Sequence, residues 1–418
     1  MTKYIKAYFM PFMALFTIFI SEMEFGIQIL SGSVEDSKAK YIIAIFLAII
    51  GYSLIICDLI NGKIKKRDKH ILLSLFILLI LYISTSYFYG LTGKYVSYLL
   101  VFVTESIPAA YIGIRLSKSV NIEKINGLLP FFIIPTTLLI GSLGLRYAMM
   151  SELANSRTGE VAGLGYQSLA YLMAFSYSYS CYFLFIMKGM KGLFWFFIRF
   201  AMVLLMLFSV MICLTAGGRG GFVFIVAISL FLFYYYIKSS KKRRIKALVV
   251  ATMLILLIVY LIGRFNVMES VGMMRVMDRL TEDDNRMWLY QKAYNAFLEA
   301  PIIGNGVGSI WWTVGFYCHN VFLDILAEMG VIGCLFFLYI IIGTIWKLMM
   351  STKAHPIHVF LFIVFSGALV HNMFSGYWVS AIKLFFVCSF VFSLSKRKRS
   401  FDKVSDTSLP SGNKNGIL

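Results

Sequence analysis

Charge is what this sequence has least of. Only 14% of its 418 residues are Asp, Glu, Lys or Arg, where soluble domains carry about a quarter, and that shortfall excludes a soluble globular protein. Segments of about ten residues alternating polar with apolar are also missing, which excludes an outer-membrane β-barrel. The six cysteines, at positions 57, 181, 213, 318, 334 and 388, fall mostly within apolar runs without metal-ligand spacing. They read as core residues, not as a disulfide framework or a zinc site. No small-residue cleavage site follows the first apolar run from about Tyr8, so that run reads as a retained helix and not a signal peptide. Neither an internal repeat nor a second soluble domain is visible, and the paired interrupted helices of a secondary transporter are not evident.

What is present is apolar. The chain is 60% hydrophobic and 17% aromatic, with a mean hydropathy of +0.81, and runs near the roughly 20 residues that cross a bilayer as helix recur along it. The expected fold is an all-α polytopic membrane protein of about twelve helices, at about 8–21, 41–60, 71–89, 95–114, 128–147, 166–187, 193–214, 221–237, 247–263, 320–345, 357–373 and 378–394. The net charge of +19 does not point to nucleic acid, because about two thirds of the 39 Lys and Arg lie on alternate connections and at both ends of the chain. By the positive-inside rule this side and both termini are cytoplasmic. One transmembrane domain is expected over 1–400, with 264–319 as a long extracytoplasmic loop inside it. A polar cytoplasmic tail, 401–418, is expected to be disordered. The acids of the first loop, Glu22 among them, and the 146–165 loop fall on the outer side. Arg199 and Lys383 lie within predicted helices and are expected to snorkel from helix ends.

The outer side also collects the residues able to do chemistry. Gly217-Gly218-Arg219-Gly220-Gly221 joins two helices, and such a turn can aim backbone N–H groups at an anion while Arg219 grips it bidentately. After a charged segment, Met287, Leu289, Ala293, Ala296, Phe297 and Ala300 recur near helical spacing up to Pro301, predicting an amphipathic helix on the membrane surface with Arg286 and Tyr290 on one face. Gly304-Asn-Gly306-Val-Gly308 then makes a turn without the Lys-Ser/Thr of a nucleotide-binding loop. His319-Asn320 opens the tenth helix, and Asn320, Asp324 and Glu328 form a polar stripe expected to line a cavity. Arg157 and His371 fall on the same side. Arginines and a histidine held at a membrane surface suit a lipid-linked phosphate.

Taken together, Gly218-Arg219-Gly220, then Asn285-Arg286-Met-Trp288 through Ala300-Pro301-Ile-Ile-Gly304-Asn-Gly306-Val-Gly308, then His319-Asn320-Val-Phe-Leu323 through Glu328-Met-Gly330-Val-Ile-Gly333 resemble the O-antigen polymerase and ligase superfamily, over about 217–333. That resemblance implies a GT-C-like, inverting, metal-independent glycosyltransferase of the bacterial inner membrane, working on its outer face without a cofactor in lipopolysaccharide or other surface polysaccharide biosynthesis. The donor would be an oligosaccharide on undecaprenyl pyrophosphate, drawn from among the membrane lipids. Arg219 and Arg286 would hold its pyrophosphate, and His319 would act on the acceptor hydroxyl. Asn320 and Glu328 would support them, and Tyr290, Arg157 and His371 are further candidates for substrate contact. A chain-length regulator is a candidate partner.

Three functions fit these features. A polymerase would extend a lipid-linked repeat unit, a ligase would move the glycan to lipid A core or to protein, and a flippase would only translocate it. The polar residues gather at one surface and do not run along a central path, which weighs against a flippase. The absence of an added outer domain for a large acceptor leans towards the polymerase.

Overall fold

Backbone N–H and C=O groups in hydrocarbon have no water to bond to, so apolar runs of this length must satisfy them internally, as helices. The computed structural model describes residues 8–19, 22, 38–62, 66–89, 93–119, 122–149, 166–187, 189–237, 260, 263–264, 285–315, 317–351 and 356–394. Among these there is no strand. The helices are α1 Tyr8–Phe19, α2 Lys38–Ile60, α3 Lys66–Tyr89, α4 Gly93–Val101, α5 Ile107–Ser119, α6 Ile122–Met149, α7 Tyr166–Cys181, α8 Leu193–Ala216, α9 Arg219–Ile237, α10 Asn285–Glu299, α11 Ser309–Val314, α12 Val321–Ser351, α13 Pro356–Phe374 and α14 Ile382–Ser393. A π-turn at Phe102–Ser106 joins α4 to α5. Six described helices are long and apolar enough to cross a membrane, and five shorter apolar ones accompany them. Most of the expected helix at 247–263, the loop carrying Arg157, the charged segment up to Asp284 and the tail lie outside the described residues.

The bundle is apolar on its outside as well as its inside, the arrangement of a multi-pass membrane protein. On α8, Phe194, Phe196, Phe197, Phe200 and Leu204 are all more than half exposed, a patch too large for a water-facing surface. Met202, Met206 and Val210 of the same helix are buried. The interior is continuous, with α14 lying along α5 and α13, and α7 packed against α6, α8 and α9.

Two features of the interior differ from expectation. Lys383 does not snorkel: its side chain is only 12% exposed, forms an ion pair with Glu22, and sits 4.4 Å over the Phe175 ring. The Tyr179 hydroxyl donates to the same Glu22 oxygen, at 3.1 Å. Glu22 is therefore part of the core instead of an outer loop, because a charge this deep is tolerable only with a partner.

The second difference is in α12, where the helical path is broken at Gly330, with φ 62° and ψ −165°. In an unbroken helix the Val331 and Ile332 N–H groups would donate to Ala327 and Glu328. Here they donate to Pro301 O (2.9 Å) and Ile302 O (3.3 Å), while the released Ala327 and Glu328 carbonyls accept from Asn305 N (2.9 Å) and Gly306 N (2.9 Å). The chain after α10 is thus plugged into the break, and these four freed backbone groups find partners there. A side chain at Gly330 would meet the Ile302 carbonyl at 2.4 Å, and one at Gly304 would meet Glu328 backbone at 2.3 Å. The glycine stretch, expected only as a turn, also completes a membrane helix.

Candidate active site

The glycine–arginine turn is tighter than its sequence suggests. Gly217, left-handed at φ 70°, closes α8 with its N–H on Leu214 O, and after Gly218 the helix α9 already begins at Arg219. Arg219 therefore stands in the first turn of a 19-residue helix, where unsatisfied N–H groups and the positive end of the helix dipole favour an anion. Beside it is a small cleft of about 20 Å³, lined by Gln167, Tyr171, Arg219, Arg286, Phe374 and Ser375 together with the glycines of the turn. Two arginines from positions far apart in the chain thus line one space.

Arg286 reaches the cleft from α10. That helix lies on α12 through Leu289, Tyr290, Ala293 and Ala296, which meet Cys318, Leu323 and Ala327. Met287, expected on this face, is instead 62% exposed, as Trp288 and Tyr294 also are to 53%. Arg286 is half-buried in the first turn, and Tyr290, one turn on, belongs to the buried face near Tyr171.

His319 sits where the loop enters α12. It has φ 58°, a left-handed conformation uncommon outside glycine and most often found where a structure over-determines it. The residues around it supply that determination. The Asn320 carboxamide caps α12 by accepting from Phe322 N (3.1 Å) and Leu323 N (3.3 Å), and Asp324 Oδ1 accepts from Cys318 N at 2.9 Å. The His319 ring lies 4.4 Å from Tyr317, and its Nδ1 is buried without a hydrogen bond among the described residues. Burial pulls the imidazole below its ordinary pKa of 6.5, the Arg286 charge lowers it further, and a backbone contact to Ser375 opposes both. The neutral form, able to accept a proton, therefore dominates at pH 7.

Glu328 is turned inward. Its carboxylate accepts from Gly308 N (2.9 Å), the Tyr377 hydroxyl (2.9 Å to each oxygen) and Trp378 Nε1 (2.9 Å). The stripe expected to line a cavity thus faces docked chain, and its acids fix the loops on either side. The Ser375 turn ties these parts together, since Ser375 O accepts from the Tyr317 hydroxyl at 2.7 Å and Ser375 Oγ donates to Gln167 at 2.9 Å. His371, on α13, has its ring edge-to-face with Tyr171 at 4.8 Å. The structure thus groups Arg219, Arg286, Tyr290, His319 and His371 around Ser375 and Tyr171, with Asn320 and Glu328 behind His319; Arg157 is outside the described residues.

Residues 201–338, about a third of the chain, match the family model described as O-antigen ligase. Over those residues the resemblance to the O-antigen polymerase and ligase superfamily holds. No curated protein and no solved structure matches the chain. Arg219, Arg286, Tyr290, His319, Asn320 and Glu328 lie inside the O-antigen ligase match, whereas Gln167, Tyr171, His371 and Ser375 lie outside it. Sequence reasoning passed over Gln167, Tyr171 and Ser375. The available signal was the four-residue spacing of Gln167 and Tyr171, which places both on one face at the end of an apolar helix.

Proposed function

We propose that this chain is a polysaccharide polymerase of the bacterial inner membrane: a metal-independent, inverting glycosyltransferase that moves a glycan from undecaprenyl pyrophosphate onto a second lipid-linked repeat unit. It has about twelve spans with both termini in the cytoplasm, and the site faces outward. The observation that carries this reading is the shared cleft of Arg219 and Arg286 at the start of α9, with a neutral His319 close enough to feel the Arg286 charge.

The chemistry follows from that placement. The acceptor hydroxyl oxygen attacks the anomeric carbon from the side opposite the pyrophosphate, and the bond from that carbon to the phosphate oxygen breaks with its electron pair leaving on the pyrophosphate. His319 takes the hydroxyl proton, a contribution of roughly 10²–10⁴-fold. Arg219 and Arg286 meet charge as it develops on the leaving group, each supplying about 3–4 kcal/mol in the manner of preorganised donors. Asn320 and Glu328 hold the His319 loop, and Tyr290 fixes the α10 face that presents Arg286. Arg157 and His371 complete the substrate contacts. An acceptor carried on lipid is delivered at the height of the bilayer surface, where His319 stands at the mouth of a membrane helix.

The test uses purified protein in lipid with a lipid-linked repeat unit and chelator. Growth of glycan chains on lipid is the expected result. Transfer only to an added lipid A core or protein acceptor would make it a ligase, and transbilayer movement with no new glycosidic bond would end the enzyme reading.

A further inference from the structure

One polar group in the cleft has no task in the mechanism above. Tyr171 is 4% exposed, lines the cleft, and has its hydroxyl buried without a hydrogen bond of sound geometry among the described residues. Its neighbour Ser375 interacts with it but outside good hydrogen-bond geometry, and donates its own proton to Gln167 at 2.9 Å. A hydroxyl withdrawn from water with no partner is costly, so a phenylalanine would be the cheaper residue at 171 if only packing mattered. The surroundings nevertheless hold the hydroxyl in place. His371 stacks edge-to-face on the ring at 4.8 Å, and Gly220 clears space for the oxygen: a side chain there would come within 1.7 Å of it. The hydroxyl therefore sits against the first turn of α9, in the cleft that Arg219 and Arg286 also line.

We propose that Tyr171 is a third donor to the anion in this cleft, its O–H bonding a phosphate oxygen of the polyprenyl pyrophosphate that Arg219 and Arg286 hold. This rests on the glycosyl-transfer reading of the cleft. The ligand supplies an acceptor of better geometry than the contact with Ser375. A donor that is neutral and rigid adds direction to the pull of two charges: it fixes which phosphate oxygen turns towards α9, and so how the scissile bond is presented to His319. It also gives Gly220 a reason beyond turn geometry.

The experiment is a binding titration of the full chain in nanodiscs with undecaprenyl pyrophosphate, comparing wild type, Tyr171→Phe and Arg219→Ala, with undecaprenol as the phosphate-free probe. Tyr171→Phe is expected to weaken pyrophosphate binding by about 10-fold to 100-fold, the size of a lost hydrogen bond to a charged group. It should leave undecaprenol binding and the melting temperature unchanged. Unaltered pyrophosphate affinity in Tyr171→Phe, with loss in Arg219→Ala, overturns the role of Tyr171 and leaves the cleft reading standing. Unaltered affinity in Arg219→Ala overturns both. A lowered melting temperature in Tyr171→Phe assigns the hydroxyl to the fold and also overturns the proposal.

Discussion

Lys383 lies in the bundle against the Glu22 carboxylate, which the Tyr179 hydroxyl also reaches, whereas Arg219 and Arg286 both line a cleft whose other polar side chains, Gln167, Tyr171 and Ser375, are neutral. Both arrangements take cations out of bulk water. In the first the charges balance within the protein, and the result is a fixed cross-brace between α14 and the end of the first membrane segment. In the second, two arginines line one cleft beside a helix N-terminus, a setting that favours an anion. One set of charges is paired inside the bundle and the other stands at the edge of a cleft, and composition alone does not tell them apart.

Mutation should separate the two forms cleanly. The largest effects belong to the cleft: Arg219→Ala, Arg286→Ala and His319→Ala should each slow chain growth by at least about 10²-fold with no loss of melting temperature. Arg286→Lys should also be damaging, since a point charge does not reproduce the planar fork. Wild-type polymer length in any of these removes that residue from the site. At the brace the pattern reverses. Lys383→Met should cost about 3–5 kcal/mol of stability by stranding Glu22, read as a lower melting temperature, while the turnover of the folded fraction stays normal. Adding Glu22→Gln should restore most of the stability, and a failure to recover would show that the pair is not a self-contained unit.

The smallest effect is one of pH. Because burial and Arg286 both lower the His319 pKa, its base form persists as pH falls through 6.5, and the acid limb of the rate should lie below that value. In Arg286→Gln the residual rate should show this limb displaced upward, towards neutral pH. A limb that does not move would mean that His319 is not the titrating group, or that Arg286 does not act on it.

Much of this was legible in the sequence. Helix positions follow from apolar runs, and Arg219, Arg286 and His319 stood out as polar residues at expected helix ends. The break at Gly330 did not, because hydropathy continues unchanged through it and the loop that heals it is joined by backbone groups, which every residue carries. Lys383 was misread for a related reason: its partner lies 361 positions away, beyond any local pattern. Glu328 was seen as costly, but its partners, two aromatic side chains and a loop N–H, became visible only with the fold in hand. Tyr171 was hidden by its setting, since a tyrosine among apolar residues reads as core.

The plugged break in α12 also bears on how the enzyme meets its substrate. Residues 301–306 and α12 share four backbone bonds, together about 2–6 kcal/mol, so the arm bearing Arg286 cannot lift off the membrane helix that follows His319 unless those bonds unzip together. The two groups move as one piece. For the proposed transfer this means that no lid has to lift Arg286 away from His319 for each added unit.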